Sequence, residues 1–421
     1  MQDIMNMKKN IAWNTIGSIY YSFCQWLMTV IIVYLTADYG IIGNLGLAMT
    51  ITNSFTTISS FGMRSFQISD TNHQFSDSEY IASRRITALA AFVLCGVYVA
   101  AIGSNIQEAT CIMSYMILRL IESTEDVYQG VLQINWRYDI IGKSYIIRGT
   151  LQILFFTLGF YFSKDLVITF ILMILSNIPV LLLYDERNVK RIAKTITIIW
   201  SKNIIKLFQV CSVLVLYNFM SNSLATVVRV SIKKYMGREA LGIYSTVASP
   251  TVIVQLLASV VFSPFLPLSA KAYNSGNKKL FSQYIKKITL CIFVGFFAVN
   301  IATILFGEWG LQLLYNSDIA SHDELLLPLV WCTFFAAAVW LYAGTLISIR
   351  AIKPLICGMT VAFTTNYILG EILVKNLGMN GASYAQVISE VLLMIYLFIV
   401  VWIKKNRMKN GNDEEMKYER V

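Results

Sequence analysis

Uninterrupted apolar runs of about 20 residues recur along this chain from one end to the other. An α-helix of that length crosses the hydrocarbon core of a bilayer, which is about 30 Å thick. The chain is 56% hydrophobic and only 14% charged over its 421 residues, which is too apolar for an ordinary soluble protein. The sequence therefore predicts an all-α integral membrane protein.

Twelve of these runs are long enough to be predicted as transmembrane helices, and together they leave no room for a separate soluble domain. The first is too long for the core of a signal peptide and is expected to remain a helix. The runs lie at residues 11–36, 39–63, 86–104, 109–130, 144–162, 165–184, 206–228, 240–263, 288–307, 325–348, 354–375 and 380–403.

Lys and Arg are sorted by the side of the membrane on which their loops are predicted to lie. With the N-terminus inside, most of the 34 Lys and Arg fall in cytoplasmic loops and in the C-terminal tail, as the positive-inside rule requires. This placement accounts for the formal net charge of +10 without a nucleic-acid partner. The basic segment 229–238 is an exception, because it falls on the outer side. Both termini of this multi-pass chain are therefore predicted to be cytoplasmic.

Cysteines and histidines show no pattern typical of a metal site or of a nucleophilic enzyme. The seven cysteines are scattered within or at the ends of apolar runs without a CxxC pair, and both histidines, His73 and His322, lie in predicted loops. A metal-ligand or Cys/His site needs such residues grouped together. We therefore predict no metal, no cofactor and no catalytic residue.

A repeat half a chain apart divides the runs into two sets of six. SRRITALAAFVL begins at Ser83 and IKKITLCIFVG begins at Ile285, and each opens the third run of its half. The basic pairs themselves are interpreted as topology anchors, and only their recurrence is informative. Parallel repeats of this kind occur in transporters whose binding site lies between the halves.

The repeat predicts two parallel six-helix lobes around a central cavity. The predicted boundaries are an N-terminal lobe at 1–185, a cytoplasmic basic linker at 186–205, a C-terminal lobe at 206–403 and a charged cytoplasmic tail at 404–421.

The fourth run, SYMILRLIESTEDVYQGVLQ, carries charges where lipid is expected. Arg119 and Glu122 lie three residues apart and can pair along one helical face, and Glu125 and Asp126 follow. An ionised side chain at membrane depth costs about 3 kcal/mol or more. These charges indicate either a structural ion pair inside its own bundle or the lining of a hydrated cavity.

Four other charged residues stand within or at the ends of predicted spans. Arg64 in FGMRSFQISD and Arg148 in QINWRYDIIGKSYIIRG either snorkel as anchors or meet an anionic headgroup, since a guanidinium donates two hydrogen bonds to a phosphate. Glu371 and Glu390, which are isolated acids in the last two runs, are candidate proton or cation sites or simply lie near a span boundary.

The motifs FGMRSFQISD, DSEYIASRRIT and ESTEDVYQGVLQINWRYDIIGKSYIIRG resemble bacterial Wzx-type polysaccharide-unit flippases. These belong to the superfamily of multidrug, oligosaccharidyl-lipid and polysaccharide exporters. The resemblance implies a flippase of the cytoplasmic membrane that moves undecaprenyl-diphosphate-linked oligosaccharides from the inner to the outer leaflet, by alternating access, for capsule or O-antigen. It also implies membrane lipid, a polymerase and other polysaccharide-assembly proteins as partners.

From this resemblance we predict which charged residues meet the substrate. The predicted phosphate or glycan contacts are Arg64, Arg119 and Arg148. The predicted polar lining or coupling groups of the cavity are Glu122, Glu125 and Asp126.

Two other activities remain open. A cation-coupled multidrug antiporter of the same superfamily needs only an apolar pocket and one or two acids, whereas intramembrane arginine favours an anionic substrate. A membrane glycan polymerase is expected to carry catalytic groups in a sizeable outer loop. The longest predicted outer connection, residues 307–324, is short.

Overall fold

A computed structural model describes residues 2–69, 74–192, 203–252, 265–315, 317–349 and 351–407. Within these ranges the secondary structure is helical and contains no strand. His73, half of the predicted linker, the end of the eighth predicted run and most of the predicted tail lie outside the described residues. The chain divides into two compact units, Met1–Thr226 and Val227–Val421.

The first unit is built from long helices joined by short turns. Its helices are α1 (Gln2–Leu35), α2 (Tyr39–Ser60), α3 (Met63–Ser69), α4 (Asp77–Ala101), α5 (Ile106–Ile134), α6 (Tyr138–Ser163), α7 (Leu166–Pro179), a π-helical segment (Val180–Glu186), α8 (Arg187–Ile192) and the first part of α9 (Asn203–Ala248).

Short polar side chains fix where these helices begin, because they accept hydrogen bonds from backbone N–H groups that have no partner within the helix. Asp38 accepts from the Gly40 N–H at 2.8 Å before α2. Ser76 and Glu79 form a reciprocal capping box that begins α4. At the other end of α2, Phe61 has a left-handed backbone conformation (φ 50°), so the chain turns there into α3.

Two packing relationships position the polar residues of the first unit. α1 runs along α6, where Gly17 faces the backbone of Gly142 and Gly142 faces the Trp13 carbonyl, so neither site has room for a side chain. α5 packs against α2, α3, α4 and α7. The charged residues in the second half of α5 therefore lie among other helices of the unit.

The second unit is also helical throughout its described residues. After the end of α9 it contains α10 (Phe265–Asn274), α11 (Lys278–Leu314), α12 (Ser317–Ala320), a 3-10 turn (Asp323–Leu325), α13 (Leu326–Ser348), α14 (Ile352–Leu377) and α15 (Met379–Asn406).

α15 packs closely against two other helices of the second unit. It contacts α13 and α14, and Gly381 at its start faces the Leu373 carbonyl of α14 so closely that only glycine fits. Tyr244 and Ser383 share a hydrogen bond of 3.0 Å, which ties the end of α9 to α15. Gly237, with φ 89°, kinks α9 upstream of this contact.

Nine helices among the described residues are long and apolar enough to cross a membrane. The predicted all-α, multi-pass membrane architecture is therefore confirmed, whereas the number of twelve spans stays a prediction. α2 and α5 coincide with predicted runs but are not among the nine, because hydroxyl and charged side chains lower their hydropathy.

Helix starts recur through the chain with the spacing of the sequence repeat. Asp77 and Lys278, each preceded by a capping side chain, begin helices 201 positions apart. The division into lobes at 1–185 and 206–403 stays a prediction, as does the cavity. The predicted outer connection 307–324 is shorter than expected from the sequence, because α11 continues to Leu314.

Candidate functional site

α5 carries the first part of a polar cluster in the first unit. Arg119 pairs with Glu122 as the spacing predicted. Glu122 Oε1 also accepts from the Tyr21 hydroxyl at 2.6 Å and from Gln152 Nε2 at 2.9 Å, which brings in α1 and α6. The side chains of Arg119 and Glu122 remain 18% and 12% exposed. Their charges are therefore paired, and a ligand can still contact them.

Asp126, one turn further along α5, pairs with two arginines at once. Arg64 Nη1 lies 3.2 Å from Oδ1, and Arg84 Nη2 lies 2.9 Å from Oδ2. Arg64 also donates to Gln129 and Gln133 at 2.9 and 3.0 Å. The side chains of Arg64 and Asp126 are 24% and 29% exposed. The turn at Phe61 and the short α3 therefore bring Arg64 onto α5.

Arg84 corrects one interpretation of the sequence. We interpreted the pair Arg84 and Arg85 as topology anchors, and Arg85 is indeed exposed. Arg84 is fully buried, however, and its Nη1 donates to the Ser59 carbonyl at 2.8 Å and to Ser123 Oγ at 3.1 Å. The anchor interpretation is wrong for Arg84, because its counter-ion is supplied by α5, far along the chain.

Arg148 is held by two carboxylates in the interior of the first unit. It pairs with Glu125, its Nη2 lies 2.7 Å from Asp185 Oδ2, and it donates to Ser144 Oγ at 2.9 Å. Arg148, Glu125 and Asp185 are each at most 1% exposed. Burial of this kind is tolerated only when charges are paired.

Asp185 was not predicted, because the sequence assigned it to the cytoplasmic side of the sixth run. The π-helical segment Val180–Glu186 widens the helix and points Asp185 inward. The next residue, Glu186, faces outward and pairs with Lys190 at 2.5 Å. π-helical turns are rare and occur frequently at functional sites.

Three arginines and three carboxylates thus form two ion-pair groups that meet at neighbouring residues of α5, and we name the two groups together the arginine–carboxylate network. Its adjacent members on α5 are Glu125 and Asp126, which face separate arginines. Its members are Arg64, Arg84, Arg148, Glu125, Asp126 and Asp185.

Tyr145 links the Arg119–Glu122 pair to this network. Its hydroxyl donates to Gln129 Oε1 at 2.7 Å, the same amide oxygen that accepts from Arg64. Its ring lies 5.4 Å from the ring of Tyr21, which in turn donates to Glu122. All six predicted site residues therefore lie in one continuous polar region of the first unit.

Aromatic and charged residues stand together at the turn between α5 and α6. The Trp136 side chain is 58% exposed, and its carbonyl accepts from Asn10 Nδ2 at 3.3 Å. Arg137 donates to Asp139 at 2.9 Å, and this hydrogen bond raises the pKa of the Arg137 guanidinium. Such a group stays charged and suits the headgroup region.

The second unit holds the two isolated acids. Glu371 lies 2.6 Å from Lys234 Nζ and accepts from the Tyr235 hydroxyl, which gives one cation of the segment 229–238 a partner. Glu390 is only 2% exposed. One of its oxygens accepts from Gln386 at 2.9 Å, and the other has no hydrogen-bond partner in the described part of the chain.

Comparisons with known proteins agree with a transporter fold. No protein-family model matches the chain. The capsular polysaccharide biosynthesis protein CapF of Staphylococcus aureus is 26% identical over 345 residues, which cover 81% of this chain and 85% of CapF. The lipid II flippase MurJ in an inward closed conformation is similar with a TM-score of 0.70 at 14% identity, over 93% of this chain and 88% of MurJ.

A multidrug resistance MATE family transporter of the MOP superfamily, in an inward-facing conformation, is similar with a TM-score of 0.63 at 12% identity. The likeness covers 95% of this chain and all of that chain. At these identities the likeness to solved structures shows the fold. These neighbours are transporters and flippases and not enzymes.

Proposed function

We propose that this chain, whose fold is that of the multidrug, oligosaccharidyl-lipid and polysaccharide exporters as its sequence motifs indicated, is a flippase for lipid-linked oligosaccharides. It moves undecaprenyl-diphosphate-linked units from the inner to the outer leaflet of the bacterial cytoplasmic membrane for a surface polysaccharide, by alternating access. Both termini are cytoplasmic. The name of its relative CapF and the lipid II activity named for MurJ support this substrate class.

The observation that carries the proposal is a pair of partly exposed arginines, Arg64 of α3 and Arg119 of α5, which both pair with carboxylates of α5. Arg64 and Arg119 are each partly exposed and each paired with one carboxylate, Asp126 or Glu122. Each phosphate of a diphosphate carries one negative charge, as a carboxylate does, and can accept two hydrogen bonds from a guanidinium, so it can take the place of the carboxylate. A charged glycolipid headgroup cannot cross hydrocarbon unaided, so such exchangeable partners suit a carrier.

Arg148 differs from Arg64 and Arg119 because it is not accessible to substrate in the described conformation. Its guanidinium is buried between Glu125 and Asp185 in the described conformation. A direct contact between Arg148 and phosphate therefore needs these two ion pairs to open. We propose that Arg148 and Glu125 meet substrate only in another conformation of the transport cycle, while Arg64, Arg119, Glu122 and Asp126 meet it first.

The test is export of surface glycan in cells that produce single variants at normal protein level. Arg64→Ala and Arg119→Ala are expected to strand lipid-linked oligosaccharide on the cytoplasmic face, and Arg64→Lys is expected to restore export only in part, because an ammonium loses the fork geometry. Arg187→Ala, at an exposed arginine of the same unit, is the matched control. Normal export by both alanine variants contradicts the proposal.

A cation-coupled multidrug antiporter is the second candidate, and the observation in its favour is Glu390. Glu390 is buried and has no basic partner in the part of the chain that the structure describes. Such a carboxyl group is suited to binding and releasing a proton or a cation. Proteoliposomes containing the full chain distinguish the two. Proton-driven efflux of a lipophilic cation that is lost in Glu390→Gln favours the antiporter, and flipping of a polyprenyl-diphosphate glycan favours the flippase.

A further inference from the structure

A groove of about 400 Å³ lies between α11 and α15 on the second unit. The two helices run in opposite directions there, since Lys278 at the start of α11 donates to the Asn406 carbonyl at the end of α15 at 3.3 Å. The groove therefore has one end at which both helices enter or leave the membrane. Neither the proposed transport nor the polar region of the first unit uses it.

The groove is basic and polar at that end. Lys286 of α11 and Lys405 of α15 both line it, and Ser282 adds a hydroxyl one helical turn before Lys286. Lys286 is exposed, and Lys405 is half-buried. Neither lysine has an ion-pair partner among the described residues. This end of the groove therefore presents two uncompensated positive charges.

The rest of the groove is apolar apart from Thr289. Phe293 and Phe398 each stand seven residues deeper than the lysine on the same helix, a distance of about 10 Å at 1.5 Å per residue. Leu290, Val401 and Trp402 complete the wall. A pair of cations above an apolar channel matches a molecule with an anionic head and a hydrocarbon chain.

The exposure of α11 indicates which molecule is available to bind in the groove. In the apolar stretch of 18 residues that makes α11 a candidate membrane span, only 11% of the residues are buried within the protein. In the corresponding stretch of Asp323–Ile347, 67% are buried. Leu290, Phe293 and Phe297 are each about three-fifths exposed. A helix with this little protein contact lies against the bilayer, where glycerophospholipid is the abundant solvent.

We propose that the α11–α15 groove is a binding site for an anionic glycerophospholipid of the surrounding membrane. Its phosphate lies between Lys286 and Lys405, and one acyl chain lies along Phe293 and Phe398. Basic pockets between transmembrane helices bind anionic headgroups in this way. The site does not depend on which solute the protein transports.

The test is native mass spectrometry of the full-length protein purified in detergent and titrated with phosphatidylglycerol. The variant Lys286→Gln/Lys405→Gln removes both groove cations. The control Lys287→Gln/Lys404→Gln removes two cations from the same helices at the same depth, at positions that do not line the groove. Thermal unfolding in detergent checks that both variants are folded.

The groove variant is expected to bind phosphatidylglycerol about thirtyfold more weakly, about fivefold for each lysine. The control variant and Lys286→Arg/Lys405→Arg are expected to bind like the unsubstituted protein. Phosphatidylethanolamine, which has the same chains but no net charge, is expected to bind the unsubstituted protein about as weakly as phosphatidylglycerol binds the groove variant.

Three results overturn the proposal. One is equal loss of phosphatidylglycerol in the groove and control variants, which indicates general surface charge. Another is equal binding of phosphatidylethanolamine. The third is displacement of phosphatidylglycerol by an equimolar polyprenyl phosphate, which assigns the groove to a polyprenyl lipid and not to the bilayer phospholipid.

Discussion

Arg148 and Asp185 are joined by a hydrogen bond of 2.7 Å, although they lie 37 positions apart and each is only 1% exposed. The same guanidinium pairs with Glu125. One buried cation thus holds α6, α5 and the π-helical segment together. Removing it leaves two buried carboxylates with no cation of their own.

Arg148→Gln is therefore expected to destabilise the protein by about 3 to 5 kcal/mol, the usual cost of breaking a buried ion pair. Thermal unfolding in detergent, together with the yield of folded protein, measures this loss. The triple variant Arg148→Gln/Glu125→Gln/Asp185→Asn neutralises all three charges and is expected to recover most of the stability. A single variant as stable as the unsubstituted protein contradicts a structural role for the pair.

Gly142→Ala is expected to loosen the contact between α1 and α6. A methyl group at Gly142 meets the Trp13 carbonyl of α1 at a distance that no real contact shows, so the helices must separate at a cost of about 1 to 3 kcal/mol. Gly96→Ala in α4 is the matched control, since its nearest neighbour is the mobile end of Met113 at 3.6 Å.

Alanine favours a helix over glycine by about 1 kcal/mol. Gly96→Ala is therefore expected to unfold at the same temperature as the unsubstituted protein or at a higher one. Gly142→Ala is expected to unfold at a lower temperature. Equal unfolding temperatures for the two variants would show that α1 and α6 can move apart freely.

Hydropathy predicted the class of protein and most helices, because lipid-facing surface needs long apolar runs. It was least informative for α5, whose charges lie among other helices and are hidden from lipid by α2, α3, α4 and α7. The pairing of Arg119 with Glu122 was predictable, because it is local. The pairs of Arg84 with Asp126 and of Arg148 with Asp185 were not, since each depends on how distant helices meet.

The π-helical segment explains why the sequence did not predict that Asp185 lies in the interior. The sixth apolar run ends at residue 184, so hydropathy assigned Asp185 to the membrane surface, beside Arg187 and Lys190. One wider turn changes which residues face inward. No single-sequence pattern marks such a turn, so the inward direction of Asp185 needed the structure.

Glu390→Gln is expected to leave stability unchanged or to raise it. The carboxyl group is buried and one of its oxygens has no partner in the described residues, so a neutral amide of the same shape removes the cost of burying a charge. Glu125→Gln is the contrasting variant, because it takes a counter-ion from Arg148 and is expected to destabilise. Thermal unfolding of both at neutral pH gives the comparison, and a large loss in Glu390→Gln would point to an ionised carboxylate with a bound cation.

Arg84→Gln and Lys286→Gln are expected to differ sharply, although the two positions are equivalent in the sequence repeat. Arg84 is fully buried and donates to the Ser59 carbonyl, Ser123 and Asp126, so its loss removes three interior hydrogen bonds, one of them to a charged group, at about 1 to 3 kcal/mol or more. Lys286 is exposed, and its loss is expected to change stability in detergent by no more than about 0.5 kcal/mol. Unfolding temperatures measured side by side test the difference. Equal destabilisation would mean that the basic residue has the same structural role in both halves. The expected difference would mean that the two basic residues share only their position, at the start of the third helix of each half.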